Sequence, residues 1–380
     1  MFGPESKATI VLLLIVAAGL LVALVRTRYL ALRIAAGLVS LTMAMVLGVL
    51  LVNDYYSYYN SWGAMWDDVT GGGPANVRSV ASVGEESRGQ LDTLLRRAGV
   101  SREVRKNGML LTMPFAGVES GITRNGLVYL PPQYFKPGHG RQRLPVVELL
   151  HGDPGTPANW VSNLHAPTIF RALLTRRQAA PAVLVIPDTN GGRTNSLQCL
   201  NEPGGPQDET YLVDDVPRFV ASRLRVEPPG RRWGLLGFSE GGYCAANLPL
   251  RTPTAYGAVG IMSGYFEPDP NRNGAGQYDP FHGNGQLRAA NTPLAELQGH
   301  TPTASPPPFW LAVGGADRED TTQANAFIKA LAPYQPHPPL MVVGGGRHNY
   351  DVWRAGFAGY MKWAATLLTG KSVAPPAARR

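Results

Sequence analysis

The run Trp233-Gly-Leu-Leu-Gly-Phe-Ser-Glu-Gly-Gly-Tyr-Cys244 constrains this chain more than any other stretch. A short apolar strand stops in Gly237-Phe-Ser-Glu-Gly241, and a helix-compatible segment with small residues (Gly242, Ala245, Ala246) follows. A serine on a sharp strand-to-helix turn is pushed into strained geometry, with its hydroxyl lifted above the sheet edge. Side chains in place of the flanking glycines would collide with the neighbouring strand and helix. In a chain with 44 glycines the bare G-x-S-x-G spacing says little. The strand before it and the helix after it give it weight, and they make Ser239 the candidate nucleophile.

From about residue 106 short apolar runs alternate with longer segments, the pattern of a mostly parallel α/β sheet with helices on both faces. Strands are expected at 108–114, 125–130, 146–150, 183–187, 233–238, 258–262, 309–313 and 340–343. Helices are expected at 166–177, 210–223, 240–249, 321–333 and 352–368. The α/β domain is therefore placed at 106–370. Residues 56–105 read as a linker or stalk and 371–380 as a disordered tail. Residues 264–308, rich in Asn, Pro and Gly, read as an insertion that caps the site or forms a plain loop.

Two apolar spans open the chain. Residues 8–25 and 34–52 carry no charge, over 18 and 19 positions. As helices they would run about 27–29 Å, close to the thickness of a hydrocarbon core. Residues 1–55 thus read as a transmembrane hairpin. Its connector holds Arg26, Arg28 and Arg33 and no acid, which places it in the cytoplasm and everything after residue 53 outside. The expected location is the plasma membrane, with an extracytoplasmic catalytic domain. Tyr55, Tyr56, Tyr58, Tyr59, Trp62 and Trp66 fit an interfacial aromatic belt. The net charge of +8 is dispersed, with no basic run interleaved with aromatics, so a nucleic-acid partner is not expected.

A serine hydroxyl needs a base, an orienting acid and an oxyanion hole. When the serine sits on such an elbow, its partners follow in the order acid, then histidine. His348 follows the strand 340–343 and a glycine run, and is read as the base. Asp317 is the first carboxylate after the strand 309–313 and is read as the acid, with Glu319 and Asp320 as rivals. The strand 146–150 runs into His151-Gly-Asp153, so the backbone N–H groups of Asp153 and Glu240 are candidates for the oxyanion hole. His151 lies outside the required order and reads as structural. Trp160, Asp188, Tyr265, Phe266 and Trp353 are cleft candidates, with core packing as the alternative for each aromatic. Cys199 and Cys244 form either a disulfide or two separate buried thiols. Asp188, Asp214 and Asp215 are scattered without a histidine at ligand spacing, so no metal site is expected.

Together these residues resemble the esterase D family of α/β-hydrolases, which includes S-formylglutathione hydrolase, feruloyl and enterochelin esterases and the mycolyltransferases. The resemblance covers about 106–368. It rests on Val128-Tyr-Leu-Pro-Pro132, Leu149-Leu-His-Gly-Asp153, Ile186-Pro-Asp188, Gly237-Phe-Ser-Glu-Gly-Gly242, Met262-Ser-Gly-Tyr265, Asn291-Thr-Pro-Leu294 and Gly-Gly-Arg-His348 with Trp353. It implies an α/β-hydrolase fold and ester hydrolysis through a serine acyl-enzyme, with no metal or organic cofactor. The substrate would be a small-molecule, lipid or glycolipid ester. An acyltransferase moving the acyl group to a sugar or lipid alcohol, and a non-catalytic envelope scaffold, are the other readings. The hairpin is not shared by the family's cytosolic members.

Overall fold

The computed structural model describes residues 3–4, 6–59, 61–69, 77–79, 101–136, 142–193, 196–268, 278–299 and 305–370. The expected tail 371–380 lies outside them. Two units are distinguished. One comprises residues 1–73 with Asn349–Asp351, and the other holds the remaining residues.

The larger unit is built on one sheet of nine strands: β1 (Val77–Ser79), β2 (Met109–Ala116), β3 (Thr123–Leu130), β4 (Val146–Leu150), β5 (Val183–Ile186), β6 (Gly230–Phe238), β7 (Tyr256–Met262), β8 (Phe309–Gly314) and β9 (Leu340–Val343). Their spatial order is β1-β2-β3-β5-β4-β6-β7-β8-β9. β3 runs antiparallel to both β2 and β5, and the pairings from β5 through β9 are parallel. All eight expected strands are present; β4 and β9 have the expected bounds and the other six have shifted ends. β1 lies within the stretch read as linker and pairs with β2.

Every residue of β4, β5 and β8 is buried, which is why these strands read as near-continuous apolar runs rather than alternating ones, with Glu148 the one charged residue among them. After β5 the chain crosses β4 and continues as β6 on its other side. Ligands of open α/β sheets bind at such a reversal of strand order, beyond the carboxyl ends of the strands. Ser239 stands there.

The elbow helix, Glu240–Arg251, is buried through Pro249. The described part of the insertion packs on it and carries two short helices, Gly285–Ala289 and Pro293–Gly299. Tyr243 donates its hydroxyl to the Asn291 carbonyl (2.7 Å), and the Asn247 amide reaches the Asn291 side chain (3.0 Å). Phe281 and Leu297 join the main core. Asp215 clamps the β2–β3 turn by accepting the backbone N–H groups of Val118, Glu119 and Ser120 at 2.9–3.0 Å.

The smaller unit holds two apolar helices, Lys7–Arg26 and Leu30–Tyr56, packed on each other. Each is long and apolar enough to cross a membrane by length and composition. The second ends at Ser57 in the left-handed region (φ 53°). Asn53 closes this end by bonding the backbone N–H (2.8 Å) and carbonyl (3.0 Å) of Tyr59. Ser57 donates to the Asp351 carboxylate (3.0 Å), and Tyr58 meets Tyr350 at 5.2 Å between ring centroids.

Candidate active site

Ser239 follows β6 directly, with φ 54° and ψ −120°. A side chain pays for that left-handed backbone in strain, which persists only where the surroundings enforce it. Here the Ser239 N–H is held by the Met262 carbonyl (2.9 Å), and its own carbonyl receives the first helical bonds, from Gly242 (2.9 Å) and Tyr243 (3.2 Å). The two motif glycines leave no room for anything larger. A Cβ at Gly237 would lie 1.8 Å from the Gly241 oxygen, and one at Gly241 would lie 2.3 Å from the Leu150 oxygen.

The turns after β8 and β9 are pinned together by Gly315 N–H to Val343 O and Ala316 N–H to Gly346 O, both 2.8 Å. They bring a base and an acid to the serine. His348 Nε2 lies 2.9 Å from Ser239 Oγ, and its Nδ1 lies 2.9 Å from Asp320 Oδ2. An ionised carboxylate can only accept, so Nδ1 carries the proton and Nε2 offers its lone pair to the serine hydroxyl.

The acid in contact is therefore Asp320, not the expected Asp317. Asp317 is spent on the backbone. It is the N-cap of the helix Arg318–Leu331, and its Oδ1 accepts the Asp320 N–H (3.0 Å). This start places Asp320 in the first turn, buried, with its side chain turned to His348, while Glu319 is exposed. Asp317 stands three residues before Asp320, the spacing at which an N-cap side chain accepts the backbone N–H of the third helical residue, and this is the sequence signal that separates the two acids. Single ligand atoms of Asp317, Asp320 and His348 lie within 4.8 Å of one another. Both imidazole nitrogens already face Asp320 and Ser239, so this donor set does not suit a resident metal.

Three aromatic cleft candidates are core residues. Trp160 is wholly buried, Tyr265 is 3 % exposed and Trp353 5 %. Phe266, also wholly buried, stacks on Phe327. Trp353 has a role that the sequence did not reveal. Its ring stacks on Phe238 (4.5 Å) and stands edge-on to His348 (5.2 Å), bridging the elbow and the base. Asp188 serves as a turn cap, accepting the N–H groups of Asn190 (3.0 Å) and Gly191 (2.7 Å). Burial opposes its charge, but His151 and these two amides hold the carboxyl down at about 2. Cys199 and Cys244 form a disulfide. Gly152 lies against the elbow, where a Cβ would sit 3.0 Å from Ser239 Cβ, so the Gly152–Asp153 turn adjoins the nucleophile. Asp153 accepts a bond from Asn190 Nδ2 (3.0 Å), and its carboxyl is raised by burial, against the pull of His151 and Asn190.

The sheet and the strand-end serine, histidine and aspartate define an α/β-hydrolase. The family model Esterase matches residues 119–372, and the chain belongs to that family. It is 25% identical over 272 residues to an uncharacterized protein of Corynebacterium glutamicum, a match covering 69% of this chain and 62% of that protein. The chain thus spans less than two thirds of that relative's length. A solved ferulic acid esterase superposes with a TM-score of 0.58 at 18% identity, over 69% of this chain and 99% of that one. An S-formylglutathione hydrolase from Agrobacterium tumefaciens gives 0.56 at 18% identity, over 69% and 96%. These two likenesses show the fold.

Proposed function

We propose that this protein is a membrane-anchored serine esterase whose catalytic unit lies outside the cytoplasm. The observation that carries the catalytic reading is His348 set 2.9 Å from both Ser239 Oγ and Asp320 Oδ2. Ser239 attacks the ester carbonyl while His348 takes its proton and then passes it to the leaving alcohol. Asp320 holds the imidazole tautomer and stabilises the cation. The backbone N–H groups of Asp153 and Glu240 hold the developing oxyanion. Water then releases the acyl group by the same steps. Transfer to a sugar or lipid alcohol would use the same acyl-enzyme, with a different second nucleophile.

Three observations support the anchoring and its orientation. The helices Lys7–Arg26 and Leu30–Tyr56 expose most of their apolar side chains, and a lipid phase is the environment that suits such a surface. The arginine-bearing connector argues for a cytoplasmic turn, and a disulfide suits an oxidising compartment.

The test uses the full chain in detergent micelles, with a fluorophosphonate probe, p-nitrophenyl esters of graded acyl length and Ser239→Ala as control. Labelling and turnover that both vanish in the variant support the esterase. A folded wild type that neither labels nor turns over leaves the scaffold. Labelling with turnover only when an alcohol acceptor is supplied points to the transferase.

A further inference from the structure

We infer that the loop after β5 clamps the oxyanion hole, with Asn190 and Ser196 as positioning residues and Cys199–Cys244 as the lock. This rests on the esterase reading above and concerns how that site keeps its shape. The hole is proposed to use two peptide N–H groups, those of Asp153 and Glu240. Asp153 lies in a turn and Glu240 opens the elbow helix, and the loop reaches both.

On the Asp153 side, the buried Asn190 side chain donates from Nδ2 to Asp153 Oδ1 (3.0 Å) and to the Arg193 carbonyl (2.9 Å). The next contact lies one residue back. The Thr189 N–H points at His151 Nε2 (3.1 Å), so that nitrogen accepts and Nδ1 carries the hydrogen. Nδ1 donates in turn to the Gly152 carbonyl (2.8 Å). The Gly152 carbonyl and the Asp153 N–H belong to one planar peptide unit. Anchoring the first therefore fixes the direction of the second. His151, outside the chain order for a base, is a link in this clamp.

On the Glu240 side, Ser196 donates its hydroxyl to the buried Glu240 carboxylate and accepts the Gln198 N–H (3.0 Å). Gln198 Oε1 takes the Tyr265 hydroxyl (3.0 Å), and the Tyr265 ring stacks on Tyr243 of the elbow helix (5.0 Å). Gln198 and Cys199 both have left-handed backbones, with φ 52° and 58°. Consecutive non-glycine residues hold such a conformation only when their surroundings over-determine it. Cys199 is bonded to Cys244 on the elbow helix, five residues beyond Ser239. The loop is thus fastened at both sides of the nucleophile and locked covalently to the helix that the nucleophile begins.

The experiment compares the full wild-type chain in detergent micelles with Asn190→Ala, Ser196→Ala, Ser196→Thr and the pair Cys199→Ser with Cys244→Ser. Three quantities are read: kcat and KM on a p-nitrophenyl ester, inhibition by an alkyl boronic acid, and Tm. The boronate forms a tetrahedral adduct on the serine, so its affinity reports the hole separately from substrate binding. Loss of a whole oxyanion donor costs about 10²–10³ in kcat, so misaiming one is expected to cost about tenfold. KM should stay within about two-fold, as for a contact made only in the transition state. Boronate affinity should fall with kcat, Ser196→Thr should restore both, and the cysteine pair should move them the same way. Unchanged kcat and boronate affinity in Asn190→Ala and Ser196→Ala overturn the inference, whatever Tm does. So does a change in KM alone. The two single variants decide the matter whether or not the cysteine variant folds. A wild type that resists the fluorophosphonate overturns the esterase reading itself, a separate result.

Discussion

Asp320 and Glu148 are both buried carboxylates of the same unit, and their surroundings differ sharply. Asp320 stands just past the end of β8, in the first turn of a helix, against His348. Its backbone N–H donates to Asp317 Oδ1 (3.0 Å) and its Oδ2 faces His348 Nδ1 at 2.9 Å, so polar partners surround it. Glu148 is the middle residue of β4, wholly buried, with the Tyr256 hydroxyl donating to it at 3.1 Å. Burial pushes its carboxyl up to about 8, against the pull of that hydrogen bond. The difference teaches where this sheet can do chemistry. Mid-strand, the ladder uses the backbone groups and the side chain meets mostly apolar neighbours, so the neutral acid is retained. At the strand ends, helix starts and turns supply oriented polar groups, so a charge can be kept and used.

The largest expected effect falls at the strand end. Asp320→Asn should lower kcat by about 10³–10⁴, the scale seen when the orienting acid of such a triad is neutralised. Asp317→Asn should leave turnover within about tenfold, because it acts only through the helix start. Steady-state kinetics on one ester would show this, and the reverse ranking would return the acid role to Asp317.

Next comes the interior acid. Its carboxyl has a higher pKa folded than unfolded, so between about 4.5 and 8 the folded chain holds the extra proton. Stability from this group is complete below 4.5 and is lost as pH rises through about 8. Glu148→Gln removes the proton exchange. Wild type should therefore lose stability relative to the variant by up to about 1.4 kcal/mol per pH unit across that window. Denaturant melts at pH 5 and pH 8 would reveal it. Parallel profiles for the two proteins would mean that Glu148 is ionised in the fold and that the contrast with Asp320 fails.

The smallest effect is the cap. Asp317→Ala should cost about 1 kcal/mol of stability through the lost bond to the Asp320 N–H. If Tm is unchanged but kcat collapses, the two acids have exchanged their roles.

Much of this site could be read from residues alone, for identifiable reasons. Gly237-Phe-Ser-Glu-Gly241 admits one tight turn, and the strand-like run before it fixes what the turn leads out of. His348 was the one downstream histidine placed just past a strand with a flexible glycine run. The acid was ambiguous because Asp317, Glu319 and Asp320 fall within four residues, and a helix cap consumes one of them. Proximity to the strand pointed to Asp317, whereas helix-start chemistry points to Asp320, the carboxylate that contacts His348. The aromatic candidates stayed ambiguous because a tryptophan such as Trp160, wholly buried here, reads the same whether it lines a cleft or fills a core. The bonds from Asn190 and Ser196 join residues 37 and 44 positions apart, and no local pattern announces such pairs.

The end of the second apolar helix bears on how the protein can be handled. Tyr55, Ser57 and Tyr58 share one unit with Asn349, Tyr350 and Asp351, the three residues that follow His348 in the chain. A soluble fragment begun at residue 60 would strip the Asp351 carboxylate of the Ser57 hydroxyl and the Tyr350 ring of Tyr58. Moving the start upstream by five residues keeps both. Trimming the chain back to its family match, 119–372, would cut away both contacts.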